Sequence, residues 1–109
     1  MKNLSSTIQR MVSGQDAYVS LPDLDRNRAI DFVKRKAGSV GQIVEVAIDD
    51  DCYGTYNLSV TFGSGNEEEM ADGLCRALNF KGNREIDYCV DSGEVVVHLD
   101  GIRADRIGI

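Results

Sequence analysis

A strict alternation of apolar and polar side chains between residues 56 and 62 limits the possible folds more than any other feature. The apolar positions are Tyr56, Leu58, Val60 and Phe62. Only an extended strand places alternate residues on opposite faces, so the segment predicts a strand with one buried side. The same period begins at Val44, Val46 and Ile48, and residues 49–55 between the two runs predict a hairpin loop.

A second hairpin is predicted near the C-terminal end of the chain. A two-residue turn at Ser92-Gly93 would form apolar pairs on one face. These pairs are Ile86 with Leu99, Tyr88 with Val97 and Val90 with Val95. The other face of this register pairs Asp87 with His98 and Cys89 with Val96, so that Cys89 lies diagonally beside His98.

Helical periodicity and capping residues predict three helices. The first covers residues 4–13, and a short strand over 17–21 follows it. The second begins at Asp23 or Asp25 and ends at Gly38. The third has Asn66 as its N-cap, with Glu69 at the third helical position, and ends at Gly82.

The predicted order is α-β-α-β-β-α-β-β within one domain, 1–109. This order indicates an α+β fold, with an antiparallel sheet of about four strands and helices packed on one face. Residues 23–62 and 66–99 have similar element lengths, which suggests an αββ pseudo-repeat. The tail, 102–109, is weakly patterned and is expected to be partly free.

Charge is distributed unevenly along the chain. The net charge is −6, and residues 37–75 contain eight acids without a single Lys or Arg. These acids are Glu45, Asp49, Asp50, Asp51, Glu67, Glu68, Glu69 and Asp72. Such a segment produces a negative field that attracts a basic partner and disfavours direct contact with nucleic acid. A basic group in the second helix is interpreted as a solvated helix face; it comprises Arg26, Arg28, Lys34, Arg35 and Lys36.

Composition also excludes several classes of protein. The three cysteines form no C-x-x-C pair, which argues against a disulfide framework or a zinc site and is typical of a reducing, cytoplasmic environment, including that of a host cell. No signal peptide or membrane-spanning run is recognisable. The run from Asp49 to Asp51 begins like a calcium loop, but Tyr53 and Val60 occupy later ligand positions. We therefore expect no metal and no cofactor.

A catalytic alternative follows from the predicted C-terminal hairpin. A thiol at Cys89, a base at His98 and an orienting carboxylate at Asp87 would form a cysteine nucleophile. A regular hairpin offers no loop or helix N-terminus for an oxyanion, and a cross-strand Asp–His pair is a common surface contact. A non-enzymatic protein is the preferred interpretation.

The favoured hypothesis is an inhibitor that occupies a basic, nucleic-acid-handling surface of a partner protein. Its predicted contact residues are Asp49, Asp50, Asp51, Tyr53, Tyr56, Glu67, Glu68 and Glu69, with the two acidic loops expected at neighbouring sheet edges and the tyrosines as apolar anchors. In size and charge alone, the chain resembles the phage-encoded inhibitors of bacterial defence, such as anti-CRISPR proteins, and the immunity proteins that neutralise nuclease toxins. A small assembly subunit that forms a homodimer through an edge strand is the second alternative.

Overall fold

The computed structural model describes residues 23–51 and 54–109. In chain order these form helix α1 (Asp23–Ala37), strands β1 (Ile43–Asp50) and β2 (Tyr56–Phe62), helix α2 (Glu67–Ala77), strands β3 (Arg84–Tyr88) and β4 (Val95–Ile102), and a short 3-10 helix (Ala104–Ile107). The helix predicted over 4–13 and the strand predicted over 17–21 lie outside the described residues.

The four strands form one antiparallel sheet in the order β1-β2-β4-β3. Helices α1 and α2 pack on the same face of this sheet and share one hydrophobic core with it. The predicted α+β fold is therefore confirmed. The two hairpins place their second strands, β2 and β4, side by side at the centre, while the αββ repeat stays a prediction.

The core is built from every second residue of each strand, and we call such a set of alternate residues one parity of the strand. In β2 and β4, the apolar residues that face the helices are fully buried, among them Val60, Val97 and Leu99. Val33 of α1 and Leu74 of α2 cover them and are fully buried as well. Because alternate residues point to opposite sides, the polar parity of the same strands must form the second face of the sheet.

Helix α2 begins as predicted and ends earlier than predicted. Asn66 Oδ1 accepts a hydrogen bond from the Glu69 amide at 3.0 Å, which confirms the N-cap. The helix ends at Ala77 rather than at Gly82, because Asn79 takes up the left-handed conformation with φ of 54°. The Phe80 amide then donates to the Cys75 carbonyl at 2.9 Å, which is the bond of a Schellman motif.

The register predicted for the C-terminal hairpin is wrong by two residues. Ile86 pairs with Val97 and Tyr88 with Val95, rather than with Leu99 and Val97. The turn is longer than two residues: the Cys89 amide donates to the Glu94 carbonyl at 2.9 Å, and residues 90–93 form the loop. A shift of two keeps every side chain on its predicted face, so the apolar pattern cannot distinguish the two registers.

The C-terminal tail is packed, contrary to the expectation of a partly free segment. Ile102 and Ile107 are fully buried, and Ile109 contacts the core. A turn of 3-10 helix has a different period from an α-helix or a strand, so this short segment carries no recognisable pattern. Within the described ranges, no helix is long and apolar enough to cross a membrane.

Candidate acidic binding face

The sheet face opposite the helices is polar, acidic and uncovered by any described element. Its carboxylates are Glu45, Asp49, Glu85, Asp87 and Asp100, which we call the acidic sheet face. They lie on the parity opposite the buried residues of β1, β3 and β4, and all five are exposed. Among the described residues, no Lys or Arg belongs to this parity of the four strands.

The strand register arranges these carboxylates around central residues that carry no carboxylate. One row of paired residues runs from Glu45 through Thr61 and Val96 to Asp87. With strands spaced by ~4.8 Å, the two carboxylates at its ends stand roughly 14 Å apart. The next row contains Ala47, Ser59, His98 and Glu85, and the third contains Asp49, Asn57 and Asp100.

A hydrogen-bonded chain of three side chains lies at the centre of the face. His98 Nδ1 is 2.7 Å from Ser59 Oγ, and His98 Nε2 is 2.9 Å from Asp87 Oδ2. In a neutral imidazole, Nε2–H donates to Asp87 and Nδ1 accepts the hydroxyl proton of Ser59. This arrangement has the chemical order of a nucleophile, a base and an orienting acid.

Other features of the face are unsuited to acyl transfer. Ser59 stands at the middle of central strand β2, paired with Ala47 on one side and His98 on the other. Backbone amides around it belong to the sheet ladders, so they are not available as oxyanion donors. The hydrogen bonds among Ser59, His98 and Asp87 therefore link β2, β4 and β3 across the surface of the sheet.

The predicted cysteine site is not assembled. Cys89 lies opposite Glu94 at the end of the hairpin, four positions along β4 from His98. Four residues of extended chain correspond to ~13 Å, beyond hydrogen-bond reach. Ser92 forms hydrogen bonds that lower the pKa of the exposed Cys89 thiol.

The three consecutive aspartates do not form one cluster. Only Asp49 projects onto the acidic sheet face, where its side chain is 82% exposed. Asp50 lies on the helix side, near the half-buried Tyr56, whose pKa is raised by burial and by this carboxylate. Asp51 accepts hydrogen bonds from the amide and hydroxyl of Thr55, bracing the hairpin loop.

Of the two predicted tyrosine anchors, Tyr56 lies away from the acidic sheet face. Tyr56 pairs with Ile102 and packs against the core on the helix side of the sheet, so it contributes no exposed apolar area to the acidic sheet face. Tyr53 lies outside the described residues.

The glutamate cluster lies at the other end of β2 from the aspartates. Glu67, Glu68 and Glu69 form the first turn of α2, where negative charge stabilises the helix. Glu68 Oε1 also accepts a hydrogen bond from Arg84 at 3.1 Å. The length of β2 separates the two clusters by roughly 20 Å, so the expectation of neighbouring edges is wrong.

Four residues on this side of the sheet were not singled out from sequence as binding residues: Glu45, Glu85, Asp100 and the central Ser59. They lie outside the runs of consecutive acids, so no run of charge marks them. The available signal was their shared parity, which becomes a shared surface only when the strand order β1-β2-β4-β3 is known.

The described residues contain no group of three or more His, Cys, Asp or Glu side chains placed to hold a metal ion. The carboxylates of the acidic sheet face are thus spread over a surface rather than gathered at a point. Comparison with protein-family models, with curated proteins and with solved structures finds no match to this chain.

Proposed function

We propose that the protein is a non-enzymatic inhibitor whose acidic sheet face occupies a basic, nucleic-acid-binding surface of a partner protein. The observation that carries the proposal is a sheet face with five exposed carboxylates and no Lys or Arg at its own strand positions among the described residues. Arg26 of α1 pairs with one of these carboxylates, Asp49, at 3.9 Å. A partner that binds phosphates presents clustered Lys and Arg, which are complementary to such a surface.

The arrangement of charge supports a protein partner rather than a small ligand. Neighbouring carboxylates around the centre are separated by roughly 7–14 Å, given the strand and residue spacings. This spread is typical of a protein contact surface, since a cation coordinated directly would need its oxygens to converge. Between the carboxylates lie partly exposed residues without a carboxylate, so a partner can approach the sheet there: Asn57, Ser59, Thr61 and Val96.

The hairpin tip extends this surface and the glutamate cluster does not. Asp49 belongs to the face, and Asp51 lies in the adjoining loop. Glu67, Glu68 and Glu69 stand in the helix layer on the other side of the sheet. Of the predicted set, the proposed contact surface therefore keeps Asp49 and Asp51. In place of the predicted glutamates it contains Glu45, Glu85, Asp87 and Asp100.

A homodimer formed through strand β1 is less well supported. Arg26 donates a hydrogen bond to the carbonyl of Ile48 on this edge strand, and Val44 forms a bulge between Ile43 and Glu45. Both features are devices that discourage edge-to-edge pairing. Strand β3 is the other edge and has only five residues.

The Ser59–His98–Asp87 chain makes a serine hydrolase the second candidate, and the engagement of the surrounding amides in the sheet ladders counts against it. Its distances of 2.7 and 2.9 Å favour proton transfer from the hydroxyl. A fluorophosphonate probe distinguishes the two candidates. An activated Ser59 would react covalently with the probe, and the Ser59→Ala protein would not. We expect no labelling of the wild-type protein.

The binding proposal is tested with charge reversals of matched size. Glu45→Lys combined with Glu85→Lys changes the face on both edge strands, and neither side chain forms an ion pair among the described residues. Asp23→Lys combined with Asp31→Lys makes the same charge change on exposed positions of α1. Each tagged protein is used to capture partners from a lysate of its native cell.

The expected result is a nucleic-acid-binding protein that is held by the wild type and by the α1 variant and released by the face variant. Raising the salt concentration should weaken this capture, because exposed charges are screened. Equal recovery on all three proteins would contradict the proposed surface. Circular dichroism of each variant checks that the loss of capture is not a loss of fold.

A further inference from the structure

Two adjoining cavities lie beside the C-terminal end of α2 and share no residue with the acidic sheet face. The first has a volume of 420 Å³, and its wall includes Asn79, Phe80, Lys81, Gly101, Arg103 and Arg106. The second has a volume of 240 Å³, shares Asn79, Phe80 and Lys81, and adds Arg76. The first volume is within the range of ~300–1,000 Å³ that is usual for small-molecule sites.

The charge of these cavities is opposite to that of the protein. In a chain of net charge −6, they gather four cationic side chains: Arg76, Lys81, Arg103 and Arg106. Of these, only Arg103 forms an ion pair among the described residues, with Asp105 at 2.7 Å. The cavities therefore hold an excess of positive charge.

Acidic groups near the cavities are already engaged. Asp72, on the wall of the smaller cavity, forms an ion pair with Arg84. The Arg103 hydrogen bond, together with the charges of Arg103 and Arg106, lowers the pKa of Asp105. Asp105 thus stays ionised and offsets one charge of the neighbouring Arg103 and Arg106, so that the larger cavity, which Lys81 also lines, keeps a net positive charge.

The walls of the larger cavity are held by the fold rather than by a free loop. Asn79 is fixed in the left-handed conformation that ends α2. The loop that follows is tied to β4 by a hydrogen bond from the Asp100 amide to the Asn83 carbonyl at 3.3 Å. At Gly101, φ is 75° and a Cβ would meet no atom within 4 Å, so this side of the cavity is open to a ligand.

We propose that the larger cavity binds the phosphate group of a small molecule. Arginine guanidinium groups form paired hydrogen bonds with phosphate oxygens, and a lysine ammonium adds a point charge. In the larger cavity Asp105 offsets one of the three cations Lys81, Arg103 and Arg106, and the two charges that remain match the roughly two negative charges of a phosphate monoester. Inorganic diphosphate and a mononucleotide both present anionic phosphate oxygens, and the proposal does not rest on the function proposed for the acidic sheet face.

The test is a titration of the full-length, ¹⁵N-labelled protein with sodium diphosphate and, separately, with AMP, followed by amide NMR at constant ionic strength. We expect saturable shifts at residues 79–82 and 101–106 with at least one ligand. Saturation by both indicates recognition of phosphate alone, and saturation only by AMP indicates that the nucleoside contributes. Lys81→Gln combined with Arg106→Gln should weaken the affinity by ~tenfold or more, because two charged hydrogen-bond donors are lost.

The matched control is Lys34→Gln combined with Lys36→Gln, which removes two cations on α1 that do not line the cavity. This variant should bind as the wild type does. The proposal is overturned if neither ligand saturates, if the shifts are spread over α1 as well, or if both double variants lose affinity equally. Shifts that arise only with a single-stranded oligonucleotide would also overturn it in favour of a nucleic-acid surface.

Discussion

The N-cap of α2 allows one structural interaction to be tested with a control of the same chemistry. Asn66 Oδ1 accepts the Glu69 amide at 3.0 Å, in front of a turn that carries three glutamates. Asn66→Ala removes this acceptor and leaves a helix amide without its capping partner. The expected cost is about 1 kcal/mol, within a range of roughly 0.5–2 kcal/mol for such caps.

This cost is measurable because small domains are only marginally stable. A change of about 1 kcal/mol shifts the midpoint of thermal unfolding by roughly 4–8 °C in a domain of similar size. Asn27→Ala is the control, since Asn27 is exposed inside α1 and alanine is the better helix former there. The same substitution should therefore lower the midpoint at position 66 and raise it slightly at position 27.

Thermal and urea unfolding followed by circular dichroism would measure both variants. Equal losses in the two proteins would indicate that any loss of asparagine is harmful. An unchanged midpoint for Asn66→Ala would refute the capping interaction and, with it, the position at which α2 begins.

Three further results are expected. Leu99→Ala, at a fully buried position of central strand β4, should cost about 2–5 kcal/mol in urea unfolding, and a much smaller loss would contradict its place in the core. Ser92→Ala should raise the pKa of Cys89 and slow its alkylation near neutral pH; an unchanged rate would show that the hydrogen bonds from Ser92 do not act on the thiol. Arg103→Gln should raise the pKa of Asp105 measured by carbon NMR. Because the pKa of Asp105 is lower in the folded protein, the associated stability is present above the unfolded pKa and disappears as the pH falls through the folded pKa. The free energy of unfolding should therefore differ between the two proteins near neutral pH and converge in acid. A difference in stability that persists in acid would contradict this cause.

The buried faces of the strands were predictable from the sequence, whereas the register of the C-terminal hairpin and the C-terminal end of α2 were not. Alternation between Tyr56 and Phe62 determines which side of β2 is buried, because period two has a single structural solution. The same alternation leaves the pairing of Ile86 open by two residues, because such a shift keeps the faces unchanged. The longer turn that selects the observed register depends on backbone conformation at residues 90–93, including φ of 79° at Gly93.

The negative charge of the candidate site was predictable from the sequence, but the position of the site was not. Runs of charge drew attention to Asp49 and its two neighbours, yet consecutive residues of a strand point alternately to opposite sides. Glu45 and Glu85 lie 40 residues apart in the sequence and share one face only through the strand order, in which β4 inserts between β2 and β3. Long-range pairing of this kind leaves no local signal.

The most direct test of the acidic sheet face is a competition assay with the captured partner. The purified partner is mixed with its labelled nucleic acid, and the protein is added as a competitor at low salt. We expect the wild type and the Asp23→Lys/Asp31→Lys variant to displace the nucleic acid at the same concentration. The Glu45→Lys/Glu85→Lys variant should require a concentration at least about ten times higher for the same displacement. Displacement by the face variant at the wild-type concentration would contradict the account.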